Sequence, residues 1–438
     1  MAFIMRLIDK CAAMENDDLD RLLDNYYGPM FKLGLVFPSW KRSALVFTIP
    51  WFILNVSTFT WNLILLGITV YKAFLCDNDM DLFSLSTHYF LLLLCGSLII
   101  FFMNWNRKLN GLNHTRISVD VGKYKDSRLY SHKDCILMEK QIRVESYRYL
   151  CLPLLIVLIC GAVLIVPYAS KLFRGVGTMY TTCGVDMFLP IPLYHPFPTH
   201  EGLNHFLALI SQVLVVCCLA NVIVAIMLNF TQYSLRVKLE YQVLGYSLDT
   251  LFARSKKVYL KNYPNEKASF HIRNPDYQRI VGSLLRDSIV HHQTLVDMMD
   301  KYHGLITYPV VFAYLTGSGA IGLGLLSIVR ALQKGDTETL LLFSLLMLGE
   351  VISMLTMSLI GESVTEATIM LRYKLYDIRW YDMDIPNRRS LLNFQTFITE
   401  PLVLTAGKGL VNLTMETFSS IMNSAYSFFN LVNIQQSE

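Results

Sequence analysis

The last apolar stretch of the chain carries a regular row of polar side chains. Ser420, Asn423, Ser427 and Asn430 follow one another at steps of three, four and three residues, and Glu416 lies four residues before the first of them. This spacing places the five side chains on one face of an α-helix. Hydroxyl, amide and carboxylate groups are poor neighbours for lipid tails, so we expect this face to contact protein or water.

Two kinds of chemistry fit such a face, and the spacing alone leaves both open. The commoner one is hydrogen bonding between helices inside a membrane. The other is a water-filled ion pathway, formed when several copies of the helix surround an axis. Leu431 and Ile434, near the outer end, would then form a constriction that dries and blocks ions when closed. Neutral hydroxyls and amides would select only weakly among cations.

The rest of the sequence offers no catalytic motif. The stretch from His200 to His205 (HEGLNH) resembles a zinc-protease signature, but Glu201 and His205 are separated by three residues, so the two histidines fall on different helical faces. We therefore expect no enzyme activity, metal, cofactor or nucleic-acid partner. Glu350 lies in the middle of an apolar segment and must face protein or water, either as a structural residue or as part of a polar network.

Seven apolar segments must position these residues. Hydrophobic residues make up 53% of the 438 residues, and the mean hydropathy is +0.40. Each segment has at most one charge inside it and exceeds the roughly 20 helical residues that cross a bilayer. The segments are 45–71, 82–106, 149–170, 206–233, 303–329, 340–361 and 410–434. The pattern predicts an all-α membrane protein with seven transmembrane helices.

Basic residues predict the orientation of these helices. Of the 38 lysines and arginines, all but five lie on the side that holds the N-terminal segment, and this side is cytoplasmic by the positive-inside rule. The five exceptions are Lys72, Lys171, Arg174, Arg330 and Lys334. We expect a cytoplasmic N-terminus and an extracellular C-terminus, the reverse of a G-protein-coupled receptor.

The sequence divides into four predicted parts. These are a cytoplasmic segment 1–44, spans one to six over 45–361, a cytoplasmic anchor segment 362–410, and the last span with its short tail over 411–438. Amphipathic stretches after span four and before span five predict helical extensions that pack into a cytoplasmic layer. The alternative is an interfacial helix lying on lipid, which Lys256, Lys257 and Lys261 would suit.

The C-terminal third resembles the insect odorant receptor family. The matching elements are Gly361–Glu362, the Tyr376/Trp380/Tyr381 cluster, Pro386 with Arg388 and Arg389, the run 401–407 (PLVLTAG) and the ending 424–429 (SAYSFF). The related gustatory receptors carry a Thr-Tyr…Gln-Phe signature in the last span. This chain has Thr414–Met415 and no Gln-Phe pair, which favours the odorant branch.

The resemblance implies a subunit of an odorant-gated, non-selective cation channel in the plasma membrane of olfactory sensory neuron dendrites. In that family the last span of each of four subunits lines the pore, which puts the gate near Leu431 and Ile434. The family's coreceptor (Orco) has a long cytoplasmic insert between spans four and five that this chain lacks. The chain therefore resembles a tuning subunit that assembles with the coreceptor in a tetramer.

The resemblance also implies a pocket for a small volatile ligand in the outer half of spans two, three, four and six. Apolar and aromatic walls with one or two hydroxyls suit such a ligand. The candidates at that level are Tyr89, Phe90, Leu93, Gly161, Leu164, Tyr168, Phe206, Leu209, Ile210, Val213, Phe343 and Met347. A G-protein-coupled-type receptor and a secondary transporter remain the alternative functions.

Overall fold

A computed structural model of the chain describes residues 42–75, 80–105, 133–173, 181, 184–199, 202–264, 271–407 and 409–437. Over these ranges it contains nine α-helices. They are α1 (Arg42–Leu75), α2 (Met80–Trp105), α3 (Lys133–Phe173), α4 (Gly202–Asp249), α5 (Leu251–Asn262), α6 (Pro275–Lys334), α7 (Thr337–Tyr376), α8 (Ile385–Phe397) and α9 (Met415–Ser437). The predicted segment 1–44 lies almost entirely outside the described residues.

Six of the described helices are long and apolar enough to cross a membrane. These stretches are Ile53–Leu75, Met80–Phe102, Lys133–Ile165, Gly202–Asp249, Ile306–Lys334 and Thr337–Tyr376. They coincide with the first six predicted spans. The seventh predicted span corresponds to α9, which is shorter and carries the row of polar residues, and it is not among the six.

The start of the seventh span differs from the sequence prediction. We expected a helix from residue 410, but Val411–Asn412 form a strand, β4, paired antiparallel with β3 (Thr405–Ala406). Gly407 and Gly409 in the connecting turn have φ of 66° and 93°, a region that glycine adopts without steric cost. The helix therefore begins only at Met415.

Four helices of 40 or more residues continue well beyond a bilayer. The 41, 48, 60 and 40 residues of α3, α4, α6 and α7 span about 62, 72, 90 and 60 Å, against a hydrocarbon core of about 30 Å. We call the end of the bundle that holds these continuations the extended side. The amphipathic stretches predicted beside spans four and five are thus continuous with the membrane helices.

Polar contacts join the helix extensions to one another. Lys238 on α4 pairs with Glu145 on α3 at 2.9 Å. Deeper in the layer, the fully buried Glu240 pairs with Arg236 at 2.7 Å and with His291 on α6 at 3.2 Å. Burial of such a carboxylate is tolerable only beside cationic or hydrogen-bonding partners. The extended side is therefore a packed layer of helices.

Helix α5 lies far from the bilayer. The Tyr277 hydroxyl on α6 donates to the carbonyl of Phe252 on α5 at 3.3 Å, which puts these residues at the same level. Tyr277 precedes the membrane part of α6, which begins at Ile306, by about 40 Å of helix. The alternative in which this basic helix rests on lipid does not fit this placement.

Helix α8 is fixed to α6 by a buried amide pair. Asn387 donates through Nδ2 to the backbone carbonyl of Gln278 at 2.9 Å. The Gln278 amide in turn donates to the carbonyl of Asp382 and accepts from the N–H of Asp384, at 2.8 and 3.0 Å. A side chain at Gly282 would clash with Asn387 Oδ1, so the glycine permits this contact.

At the opposite end, a proline-rich segment closes over the bundle. Its short hairpin pairs β1 (Val185–Asp186) with β2 (Leu193–Tyr194). The Gln212 side chain on α4 makes both hydrogen bonds to the backbone of Ile191, at 2.8 and 3.0 Å. Thr69 on α1 accepts from the N–H of Tyr194 at 2.9 Å. These contacts tie the segment to two membrane helices.

Candidate functional site

The start of α9 is fixed by α7. A side chain at Gly361 would clash with the carbonyl oxygen of Leu413, so α7 approaches the chain before α9 at a distance only glycine allows. One residue later, Glu362 accepts a hydrogen bond from the backbone N–H of Met415 through Oε2 at 3.2 Å. A carboxylate at this position satisfies an otherwise unpaired N–H and favours the helix N-terminus.

Helix α9 has one packed face and one open face. Phe418, Ile421 and Met422 pack against the main apolar core, and Ala425 is buried within it. Among the described side chains of this helix, the most exposed ones are mainly polar. They are Glu416, Ser419, Ser420, Asn423, Ser424, Tyr426 and Ser427. Within the described part of the chain, the polar face is therefore left uncovered.

The open face lines a groove of about 680 Å³. Its walls are Glu416, Ser419, Ser420, Asn423, Ser424 and Ser427. Ser424 and Ser427 donate back to the carbonyls of Ser420 and Asn423, both at 2.8 Å, so the hydroxyl oxygens keep lone pairs free to accept from water or to contact a cation. Glu416 is the only charged residue of α9.

The structure brings together four of the seven predicted pore residues. Glu416, Ser420, Asn423 and Ser427 share the groove, while Asn430 is half-buried. The side chains of Leu431 and Ile434 lie outside the described part of the chain. Sequence reasoning missed two lining residues, although Ser424 lies four residues after Ser420 and could have been found by the same spacing. Ser419 precedes Ser420 directly and makes the polar face wider.

Part of the predicted ligand pocket lies in the bundle interior. Tyr89 and Leu93 on α2 and Phe343 on α7 are buried, and Leu164 and Met347 are half-buried against the same core. Gly161 is not among them: it lies on the outward face of α3 with the exposed Leu158 and Ile165, and no atom lies within 4 Å of the position its Cβ would take. The buried and half-buried residues come from three of the four helices expected to form the walls.

The sequence analysis missed one residue of this region, His88. Its ring is completely buried and lies edge-on to Phe343, with ring centroids 6.2 Å apart. A polar ring in an apolar span is itself a signal, because such residues in membrane helices usually face the bundle interior.

Tyr168 lies at the end of the interior opposite the extended side, under the proline-rich segment. Its hydroxyl is 3.2 Å from Nε2 of His205, whose Nδ1 is 3.0 Å from the carbonyl of Thr199. Its ring also packs edge-on against Phe188, 5.8 Å away. The hydroxyl is therefore already engaged in a contact that holds the closing segment.

Several predicted pocket residues lie elsewhere. Phe206, Ile210 and Val213 are exposed on α4, Phe206 by 58%, and Leu209 is half-buried. The inward face of α4 at this level carries Gln212 instead. Phe90 on α2 packs toward α1. The structure therefore does not place these side chains in the interior with Tyr89 and Phe343. Gln212, a polar residue within this apolar run, was the available signal for the inward face.

The fold and the groove together define a class, the multi-pass helical membrane proteins. Within the described ranges, no group of three or more metal-ligating side chains occurs. The family model "7tm Odorant receptor" matches residues 125–426. The chain belongs to this odorant receptor family, which is a family of membrane proteins and not of enzymes, and the resemblance seen in the sequence is confirmed.

Solved structures of an insect olfactory receptor share the fold. The olfactory receptor OR5 from Machilis hrabei in complex with eugenol aligns with a TM-score of 0.72 at 12% identity, covering 95% of this chain and 98% of that chain. A second structure of the same receptor gives 0.67 at 11% identity, covering 94% and 97%. Family and fold support an odorant receptor with a small-molecule ligand.

Proposed function

We propose that the chain is a subunit of an odorant-gated, non-selective cation channel and that α9 lines its pore. The observation that supports this most is the uncovered polar face of α9. Its serines, asparagine and glutamate would be costly against lipid tails, and no part of the described chain covers them. If several copies of α9 surrounded a central axis, these groups would face a water-filled pathway.

The proposed gate is the ring formed by Leu431 and Ile434, beyond the polar groove. Both residues lie within the backbone range of α9 and toward its C-terminal end. Apolar side chains in a narrow pore expel water and so stop ions. The groove below this ring offers neutral oxygens and one carboxylate per subunit, which would admit cations with little selection among them.

The proposed orientation puts the extended side in the cytosol and the C-terminus outside. The excess of lysine and arginine on that side supports it. We place the protein in the plasma membrane of olfactory sensory neuron dendrites, with residues 1–44 and the anchor 362–410 inside the cell. The core of the receptor would be the spans over 45–361, and the pore helix with its tail would occupy 411–438.

The proposed partner is the odorant receptor coreceptor (Orco), in a tetramer. Exposed apolar side chains on the extended side support a subunit contact there. Leu392 and Phe397 on α8 are 62% and 79% exposed, and Tyr376 at the end of α7 is 80% exposed. Such a concentration of exposed apolar and aromatic surface in a water-facing layer marks an interface.

The odorant site is proposed among α2, α3 and α7. Tyr89, Leu93, Leu164, Phe343 and Met347 form its walls. Gly161 and the exposed α4 residues are left out, and the contact of Tyr168 with His205 holds the proline-rich segment over the site.

The test is a whole-cell recording from cells that express this chain with the coreceptor. We expect a panel of volatiles to evoke a cation current that persists when G-protein signalling is inhibited. A response that requires G proteins would instead indicate a G-protein-coupled receptor. Uptake of a volatile without current would indicate a transporter, and either result would overturn the proposal.

A further inference from the structure

The Tyr89 hydroxyl is a buried polar group without a hydrogen-bond partner among the described residues. The residue is only 6% exposed. Two other buried tyrosines are paired: the Tyr314 hydroxyl lies 2.7 Å from Ser358 Oγ, and the Tyr233 hydroxyl donates to the carbonyl of Met298 at 2.9 Å. Tyr241, on the extended side, shares with Tyr89 the lack of a hydrogen bond within the described residues. A buried hydroxyl without a partner is unfavourable, and it commonly marks a place where a ligand or water completes the bond.

The surroundings of this hydroxyl are apolar. Tyr89 belongs to the same buried cluster as Leu93 and Ile159. Cys160 lies close enough to interact with it electrostatically, and a thiol is only a weak hydrogen-bonding group. A small molecule next to α3 would therefore meet carbon on most sides.

Among the residues proposed to line the site, Tyr89 has a strong hydrogen-bonding group that the described chain leaves unused, and the ring nitrogens of the adjacent His88 are also buried there without a partner. The other side-chain hydroxyl of the original set, on Tyr168, already contacts His205. The remaining members are apolar or glycine. The Tyr89 hydroxyl is thus a donor that an occupant of the site would satisfy with an acceptor oxygen.

We propose that the ligand is a small oxygenated volatile, such as a ketone, aldehyde or ester, whose oxygen accepts a hydrogen bond from the Tyr89 hydroxyl. The hydrocarbon part packs against Leu93, Phe343 and Met347. This inference rests on the proposed odorant site. A site that holds a hydrogen bond rejects analogues that lack the partner atom, because the buried group is then left unpaired.

The experiment compares methyl ketones with the matching 2-methyl-1-alkenes, in which a methylene group replaces the carbonyl oxygen at nearly constant shape. In cells expressing the chain with the coreceptor, we expect the ketone to have the lower EC50. Tyr89→Phe removes only the hydroxyl and should raise the ketone EC50 by roughly three- to tenfold while leaving the alkene unchanged. The control Tyr314→Phe removes a paired hydroxyl and should not separate the two ligands.

A second measurement does not depend on channel activity. The full chain, purified in detergent, should melt at a higher temperature with the ketone than with the alkene, and Tyr89→Phe should remove that difference. Stabilisation by the ketone without any current would overturn the channel proposal but support this inference. Equal potency and equal stabilisation by ketone and alkene, or a Tyr89→Phe shift of the same size for both, would overturn the inference.

Discussion

The backbone N–H of Met415, the first residue of α9, donates to Glu362 Oε2 on α7 at 3.2 Å. The same helix α7 carries Phe343 and Met347 at the proposed odorant site, about 25 Å away along a continuous helix. The close approach at Gly361 and the burial of Leu413 also hold α7 against the chain that leads into α9. Helix α7 thus connects the proposed odorant site directly to the start of the proposed pore helix.

Removing the Glu362 carboxylate should weaken this connection. Loss of a helix-capping acceptor costs about 0.5–2 kcal/mol. We expect Glu362→Ala to lower the maximal odorant-evoked current per surface receptor several-fold, and Glu362→Gln, which keeps an acceptor oxygen, to lower it less. The matched control is Glu366→Ala, since Glu366 lies one turn further along α7 and is exposed. A current from Glu362→Ala equal to that of the control would refute the role of the cap.

The glycine at the same joint should tolerate no side chain. In Gly361→Ala the new methyl group would collide with backbone, which does not move easily, and we expect a loss of about 1–3 kcal/mol in stability. Thermal melting of the purified protein and surface labelling in cells would both show it. Gly349→Ala, on the same helix, meets only Ile159 at 3.7 Å and serves as the control. Equal melting temperatures of the two variants would contradict the close approach between α7 and the chain before α9.

The two phenylalanines near the outer half of the bundle should behave differently. Phe343 is completely buried, whereas Phe206 is 58% exposed. We expect Phe343→Leu to raise the odorant EC50 several-fold through lost contact with the ligand, and Phe206→Ala to leave it unchanged. Dose–response curves normalised to surface expression provide the measurement. A larger rise in EC50 with Phe206→Ala than with Phe343→Leu would instead place the odorant site on the exposed face of α4.

Acid should destabilise the helical layer on the extended side. Burial, followed by the neighbouring His291, lowers the pKa of His292 from 6.5 to about 4. The folded chain therefore binds fewer protons here than the unfolded chain, so this stability is complete above pH 6.5 and declines as the pH falls toward 4. The His292 ring packs edge-on against Phe394 and Tyr241.

The check is the melting temperature of the purified protein between pH 7 and pH 4.5. We expect a decline that His292→Phe reduces, because the aromatic contacts remain while the titrating group is lost. His271→Gln is the control, since His271 is exposed. An unchanged decline in His292→Phe would assign the acid sensitivity to other groups.

Periodic features were predictable from the sequence, and long-range contacts were not. Ser420, Asn423 and Ser427 share one face because helical spacing alone requires it, and the structure places them in one groove. The positions of the six membrane-crossing helices followed from the length of the apolar runs. The capping of Met415 by Glu362 joins residues more than fifty positions apart, and local spacing carries no signal for it.

Two sequence predictions were wrong, and both errors have local causes. In α4, Phe206 was assigned to the interior when it is exposed, because it belongs to a mostly apolar run. Gln212, six residues further along, was the available signal for the inward face. The strand at Val411–Asn412 was taken for helix because its residues continue an apolar run. The glycines at 407 and 409 were the available signal for a turn.

The central claim is that the polar face of α9 lines an ion path, and cysteine accessibility tests it most directly. Cysteines would replace Ser420, Asn423 and Ser427 in turn, with Ala425→Cys on the packed face as control and the wild type as background for the native thiols. A charged, water-soluble thiol reagent should alter the current of the three groove variants, faster with odorant present, and spare Ala425→Cys. Equal inertness of all four variants, with and without odorant, would contradict the account.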